Sequence, residues 1–159
     1  MIKKSLRKGI SFGLTSGTIT TLGLMVGLQS GTHSRIVVIG GILTIAVADA
    51  FSDALGIHIS VESENKCSPK EIWTVTLATL FSKFLFALTF IIPILIFKLP
   101  VAIIVNLVWG MSILTLLSYS IARIRNENPN KVIIEHLFIA CAVVIITHFL
   151  GGWISSRMV

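Results

Sequence analysis

Five apolar runs, at about 10–29, 35–59, 71–97, 101–122 and 132–154, set the terms for this chain. A helix needs roughly 20 mainly apolar residues to cross the hydrocarbon core of a bilayer, and each run is long enough. Lipid offers no hydrogen bonds, so backbone groups at that depth must be paired within the protein. Five such runs therefore predict an all-α polytopic membrane protein with five transmembrane helices. The connections are too short for a second folded unit, so 1–159 reads as a single transmembrane domain. Composition agrees, with 54% hydrophobic residues and only 13% charged, well below the charge content of a soluble domain.

Charge orients the bundle. If the N-terminus is cytoplasmic, nine basic residues share that side: Lys3, Lys4, Arg7, Lys8, Lys66, Lys70, Arg123, Arg125 and Lys131. The opposite side holds three, Arg35, Lys98 and Arg157. By the positive-inside rule the N-terminus is cytoplasmic and, with five spans, the C-terminus lies outside. The net charge of +6 is spread between apolar runs and not gathered on one face, which points to membrane lipid as the partner and to no nucleic acid. The basic head of "MIKKSLRKGISFGL" resembles a signal peptide, but no small-residue cleavage site follows, so it reads as a retained first span. Cys67 and Cys141 are too few and too far apart for a disulfide framework or a cysteine metal site.

The second run contains charge where a membrane helix should have none. In "AVADAFSDALGIHISVESE", residues 46–64, Asp49 lies near the midpoint and Asp53 follows four residues later. Both face one side of the helix, about 6 Å apart along its axis. An aspartate at the bilayer centre costs at least about 2.5 kcal/mol, so the pair needs partners, protons or water. One reading is an internal ion pair, because Lys83 lies near the middle of the third run at a depth similar to Asp49. Another is a cation in transit, since hard divalent ions favour oxygen ligands. Proton carriage by the same carboxylates is compatible with the second. Lys83 also serves both, pairing with Asp49 when no cation is present and yielding when one arrives.

Other polar residues carry weaker signals. Glu62, Glu64 and Glu71 flank the loop at 60–72 and read either as a solvated charged loop or as a cytoplasmic entrance that concentrates cations. Pro69 marks the expected start of the third helix. His148, deep in the fifth run, is a candidate proton relay, whereas His58 points well away from Asp53. Gly9, Gly13 and Gly17, then Gly23, Gly27 and Gly31, give the first run small residues at helical spacing for close packing. Thr15 and Ser16 open a hydroxyl-rich stretch beside them. There is no phosphate-binding glycine loop, zinc-type cluster or nucleophile elbow, so the chain reads as no enzyme and as holding no permanent cofactor.

"GISFGLTSGTITTLGLMVGL" followed by "RIVVIGGILTIAVADAFSDALGIHISVESE" resembles the vacuolar iron transporter family, most closely over residues 9–64. The resemblance implies export of Fe2+ or Mn2+ from the cytosol, coupled to protons, by a homodimer whose ion path runs between the subunits. It also implies an integral membrane location, the cell membrane in a prokaryote or a vacuolar or other organelle membrane in a eukaryote. The chain departs from the family pattern at its chemistry. Ser16 stands where the family carries an aspartate before a glycine of the first span, and Asp53 where it carries a methionine. Asp49 replaces a family glycine, and a family glutamate falls near Ile45. The helical cytoplasmic metal-binding insertion is reduced to roughly 60–70, leaving Glu62, Glu64 and Glu71.

These departures predict a relocated cation site formed by Asp49 and Asp53, with Ser16 and Thr15 as supporting oxygen ligands. Loss of the soft methionine favours Fe2+ or Mn2+ over copper. The alternative is a non-transporting membrane scaffold of the same fold, with Asp49 and Lys83 as a structural pair.

Overall fold

The structure, a computed structural model, describes residues 2–158. Helices α1 (Ile2–Thr32), α2 (Arg35–Ser63), α3 (Pro69–Thr89), α4 (Ile91–Ile96), α5 (Leu99–Arg125) and α6 (Pro129–Met158) account for nearly all of it. Among the described residues there is no strand. Five segments are long and apolar enough to cross a membrane, α3 and α4 together making one of them. Helices α1, α5 and α6 overrun their apolar runs at both ends and α2 overruns its run at the C-terminal end, because hydropathy registers the lipid-facing length while backbone pairing continues into polar sequence.

The third run is broken where a single span was expected. Pro93 has no N–H to offer the carbonyl of Thr89, and its ring forces the preceding turn open. The break falls at Phe90, whose carbonyl is taken up by Asn106 Nδ2 at 2.8 Å. Asn106 is fully buried, so this polar bond ties α5 to the break, next to the Thr89 carbonyl that the proline leaves without its helical partner. At the other end α3 starts at Pro69, where Ser68 donates its N–H and hydroxyl to Glu71 Oε2 at 3.1 and 2.9 Å.

Helix α1 occupies the centre and packs against α2, α3, α5 and α6. Its glycines form two separate seams. Gly9, Gly13 and Gly17 lie against α3, where a Cβ on Gly9 would stand 2.5 Å from the carbonyl of Val75. Gly23, Gly27 and Gly31 lie against α6, where Gly151 meets the backbone of Gly27. Backbones approach this closely only when the side chain is hydrogen. Gly151→Val is expected to cost at least about 1–3 kcal/mol by overpacking. Thermal unfolding in detergent should show a lowered Tm, whereas Gly40→Ala, which meets nothing within 4 Å, should leave Tm unchanged.

The core is a cluster around Leu22, Met25, Ile42, Phe90 and Ile94. Large apolar side chains also cover the outside: Phe51 is 62% exposed, Phe138 73% and Phe149 70%. Such a surface is stable only against lipid. Because consecutive spans alternate in direction, the start of α1, the end of α2, the start of α3, the end of α5 and the start of α6 share one end of the bundle. Eight of the nine basic residues that orient the sequence lie on those segments, and the ninth, Lys66, lies in the turn between α2 and α3 at the same end.

Candidate functional site

Ala46, Ala50 and Ala54 form the buried seam of α2. Their small side chains bring the helix close to its neighbours and set Asp49 and Asp53, one residue before each of the last two, along the edge of that contact. Lys83 reaches them from α3. Its aliphatic stem passes over Gly17 of α1, where a Cβ would lie 3.2 Å from the lysine Cγ. Gly17 thus leaves room for the lysine stem.

The Lys83 ammonium ends among three oxygens. It donates to Asp53 Oδ2 at 2.5 Å and to Ser16 Oγ at 2.9 Å, and Asp49 Oδ2 lies 2.6 Å away. Ser16 in turn donates to Asp53 Oδ2 at 2.5 Å. Asp53 is therefore held by two aligned hydrogen bonds, whereas Asp49 Oδ2 is buried with no aligned donor and is attracted by charge alone. Lys83 is 2% exposed, Asp49 28% and Asp53 21%. With all three ionised, two carboxylates face one ammonium and leave a net negative charge inside the bundle.

Asp49 also borders an open groove of about 510 Å³ between α1, α2 and α6, with Thr20, Ile45 and Ser52 among its walls. The cluster therefore has an inner side closed by Lys83 and an outer side facing this groove. Thr20, part of the hydroxyl-rich stretch of α1, follows Ser16 by four residues, and Ser52, which the sequence reading passes over, follows Asp49 by three. That spacing was the available signal.

The remaining sequence candidates lie apart. Thr15 is half-buried, and its hydroxyl makes no hydrogen bond to the cluster among the described residues. His148 is exposed on α6, with its ring edge-on to Phe149 at 5.7 Å. Glu62 is exposed, Glu64 lies 3.7 Å from Lys8, and Glu71 is engaged by Ser68. His58 Nδ1 lies 2.9 Å from Thr76 Oγ1, away from the aspartates. Among the described residues no three Asp, Glu, His or Cys side chains converge as a metal site. Within one chain, the cluster offers two carboxylates and a hydroxyl.

The model of the VIT family matches residues 6–75. Over this segment the chain is similar to the VIT family. No curated protein and no solved structure matches the chain. Membrane transport of metal ions is the role of the family that this segment resembles. The matched segment contains Ser16, Asp49 and Asp53 and ends before Lys83. The three cluster positions that depart from the family pattern are thus the ones that converge on a lysine lying beyond the match.

Proposed function

We propose that this chain, similar to the VIT family over residues 6–75, carries Fe2+ or Mn2+ out of the cytosol in exchange for protons, with Asp49 and Asp53 as the midmembrane ligands and proton carriers. The observation that carries this reading is the convergence of both carboxylates and Ser16 on one ammonium beside an open groove. Oxygen donors suit hard and borderline divalent ions. Lys83 acts as a tethered counter-ion: it neutralises the carboxylates between cycles and withdraws when a divalent ion arrives. In proteoliposomes, Fe2+ and Mn2+ flux should follow an imposed proton gradient and fall when the gradient is collapsed. Flux indifferent to the gradient would remove the coupling.

Two carboxylates are a sparse ligand set for a divalent ion, and a second copy would double it. Support for a homodimer comes from the outer face of α2, where Gly40, Thr44, Ala48, Ser52, Gly56 and Ser60 recur every fourth residue and are all exposed. This lane is about 30 Å long at 1.5 Å per residue, and Ala48 and Ser52 also border the Asp49 groove. Small residues at this spacing let membrane helices approach closely. Gly40→Leu with Gly56→Leu is expected to abolish the dimer in native mass spectrometry while leaving Tm of the monomer in place. An undiminished dimer would put the interface elsewhere.

The scaffold reading keeps one specific observation in its favour: Lys83 is buried, already bonded to Asp53 and Ser16, and within ion-pair distance of Asp49. It predicts no flux of either ion from a folded, reconstituted protein.

A further inference from the structure

A second hollow, of about 480 Å³, lies at the basic end of the bundle and is unrelated to the Asp49 groove. Three separate elements bring cations to it: Lys4, Arg7 and Lys8 from the start of α1, Lys66 from the turn after α2, and Arg125 from the end of α5. Two carboxylates share the hollow, and both are engaged. Glu64 lies 3.7 Å from Lys8, and Glu71 accepts from Ser68. Arg125 is paired with Glu127 at 2.7 Å. Lys4, Arg7 and Lys66 have no ion-pair partner among the described residues. The field in the hollow therefore favours an anion.

Its inner wall is of the opposite character. Val61, Val75, Ile121 and Ile124 line it, and Val61 and Val75 are buried at 3% and 1% exposure. A freely soluble anion gains nothing from such a wall, whereas a molecule with a charged head and hydrocarbon chains matches both halves. Basic pockets between membrane helices take anionic headgroups by this combination.

We propose that this hollow is a binding site for an anionic phospholipid, its phosphate held by Lys4, Arg7 and Lys66 and its chains running along the valine and isoleucine wall. Ser5 and Ser11, which also line the hollow, supply hydroxyl donors for the phosphate oxygens. The lipid would tie the start of α1 to the α2–α3 turn and the end of α5, three segments otherwise joined at this end by few polar contacts.

The test uses the full chain purified in neutral detergent, with Tm followed as a short-chain phosphatidylglycerol, the matching phosphatidylcholine or inorganic phosphate is added. Phosphatidylglycerol should raise Tm saturably, and the half-saturating concentration should rise about fivefold for each cation removed, roughly a hundredfold for Lys4→Gln, Arg7→Gln and Lys66→Gln together. Added salt should weaken the effect. Should the triple variant not fold, Lys66→Gln alone, in an exposed turn, gives the single-step shift. An equal rise with phosphatidylcholine would overturn the proposal, as would an unchanged half-saturation in the variants. An equal rise with inorganic phosphate would show a free-anion site only and would also overturn it.

Discussion

Replacing Lys83 by methionine is expected to destabilise the protein by about 3–5 kcal/mol, the range for breaking a buried ion pair from one side. Methionine matches the lysine stem in volume, so the packing over Gly17 survives and the loss is electrostatic. Asp53 would keep only its bond from Ser16, and Asp49 would keep no counter-charge. Denaturant unfolding in micelles reads the effect directly. Adding Asp53→Leu to Lys83→Met should recover part of the stability, because the better-held carboxylate is removed with its partner. Asp49, 28% exposed at the groove, is the carboxylate more easily left alone. Sequence reasoning had paired Lys83 with Asp49; in the structure Asp53 is the aligned partner, so the compensating change belongs at Asp53. If Lys83→Met unfolded at the wild-type denaturant concentration, the cluster would not be holding α2 to α3.

The second large effect concerns transport. Asp53→Asn and Asp49→Asn are each expected to lower Fe2+ and Mn2+ flux at least tenfold. Loss of an outer hydrogen-bond partner of a metal ligand already costs about 10–100-fold in affinity or activity, and a ligand itself should cost no less. Both variants should still fold, because Lys83 keeps one carboxylate in each. The two differ in cause. Asp49 lines the groove and meets an arriving ion first, so its loss should raise the half-saturating ion concentration most. Asp53, tied to Ser16 and Lys83, is the inner ligand, and its loss should depress the maximal rate. Wild-type flux in both variants would place the ion path away from α2.

Much of this was legible in the sequence because bilayer physics is so restrictive. Length and hydropathy fix five spans, and the charge asymmetry falls on the helix ends that share one side of the bundle. The start of α3 at Pro69 was visible too, because proline suits a first turn and Ser68 with Glu71 supplies the cap. The break at Phe90 does not follow from Pro93 alone, because whether a proline kinks a span or is absorbed depends on the polar groups packed around it. Asn106 supplies one here, bonding the Phe90 carbonyl from 16 positions away in sequence.

The candidate site divides in the same manner. Helical periodicity put Asp49 and Asp53 on one face, and equal depth brought Lys83 level with them. Periodicity carries no information about rotation between helices, however, so it could not say that Ser16 joins the cluster while Thr15, one residue earlier, does not. The glycines of α1 show the same limit. Their spacing signalled close packing, yet only the structure divides them into one seam against α3 and another against α6. Those seams consume the small face of α1 within a single chain, leaving α2 to present the exposed small-residue lane.

The most direct measurement is the position of Mn2+ in crystals of the protein soaked with that ion, located by its anomalous scattering. The ion should lie within about 2.0–2.6 Å of oxygens of Asp49 and Asp53, the span typical of hard cations, with the Lys83 ammonium drawn back from both. If Lys83 still sits between the two aspartates and no Mn2+ lies beside them, the cluster is an internal ion pair and not a transport site.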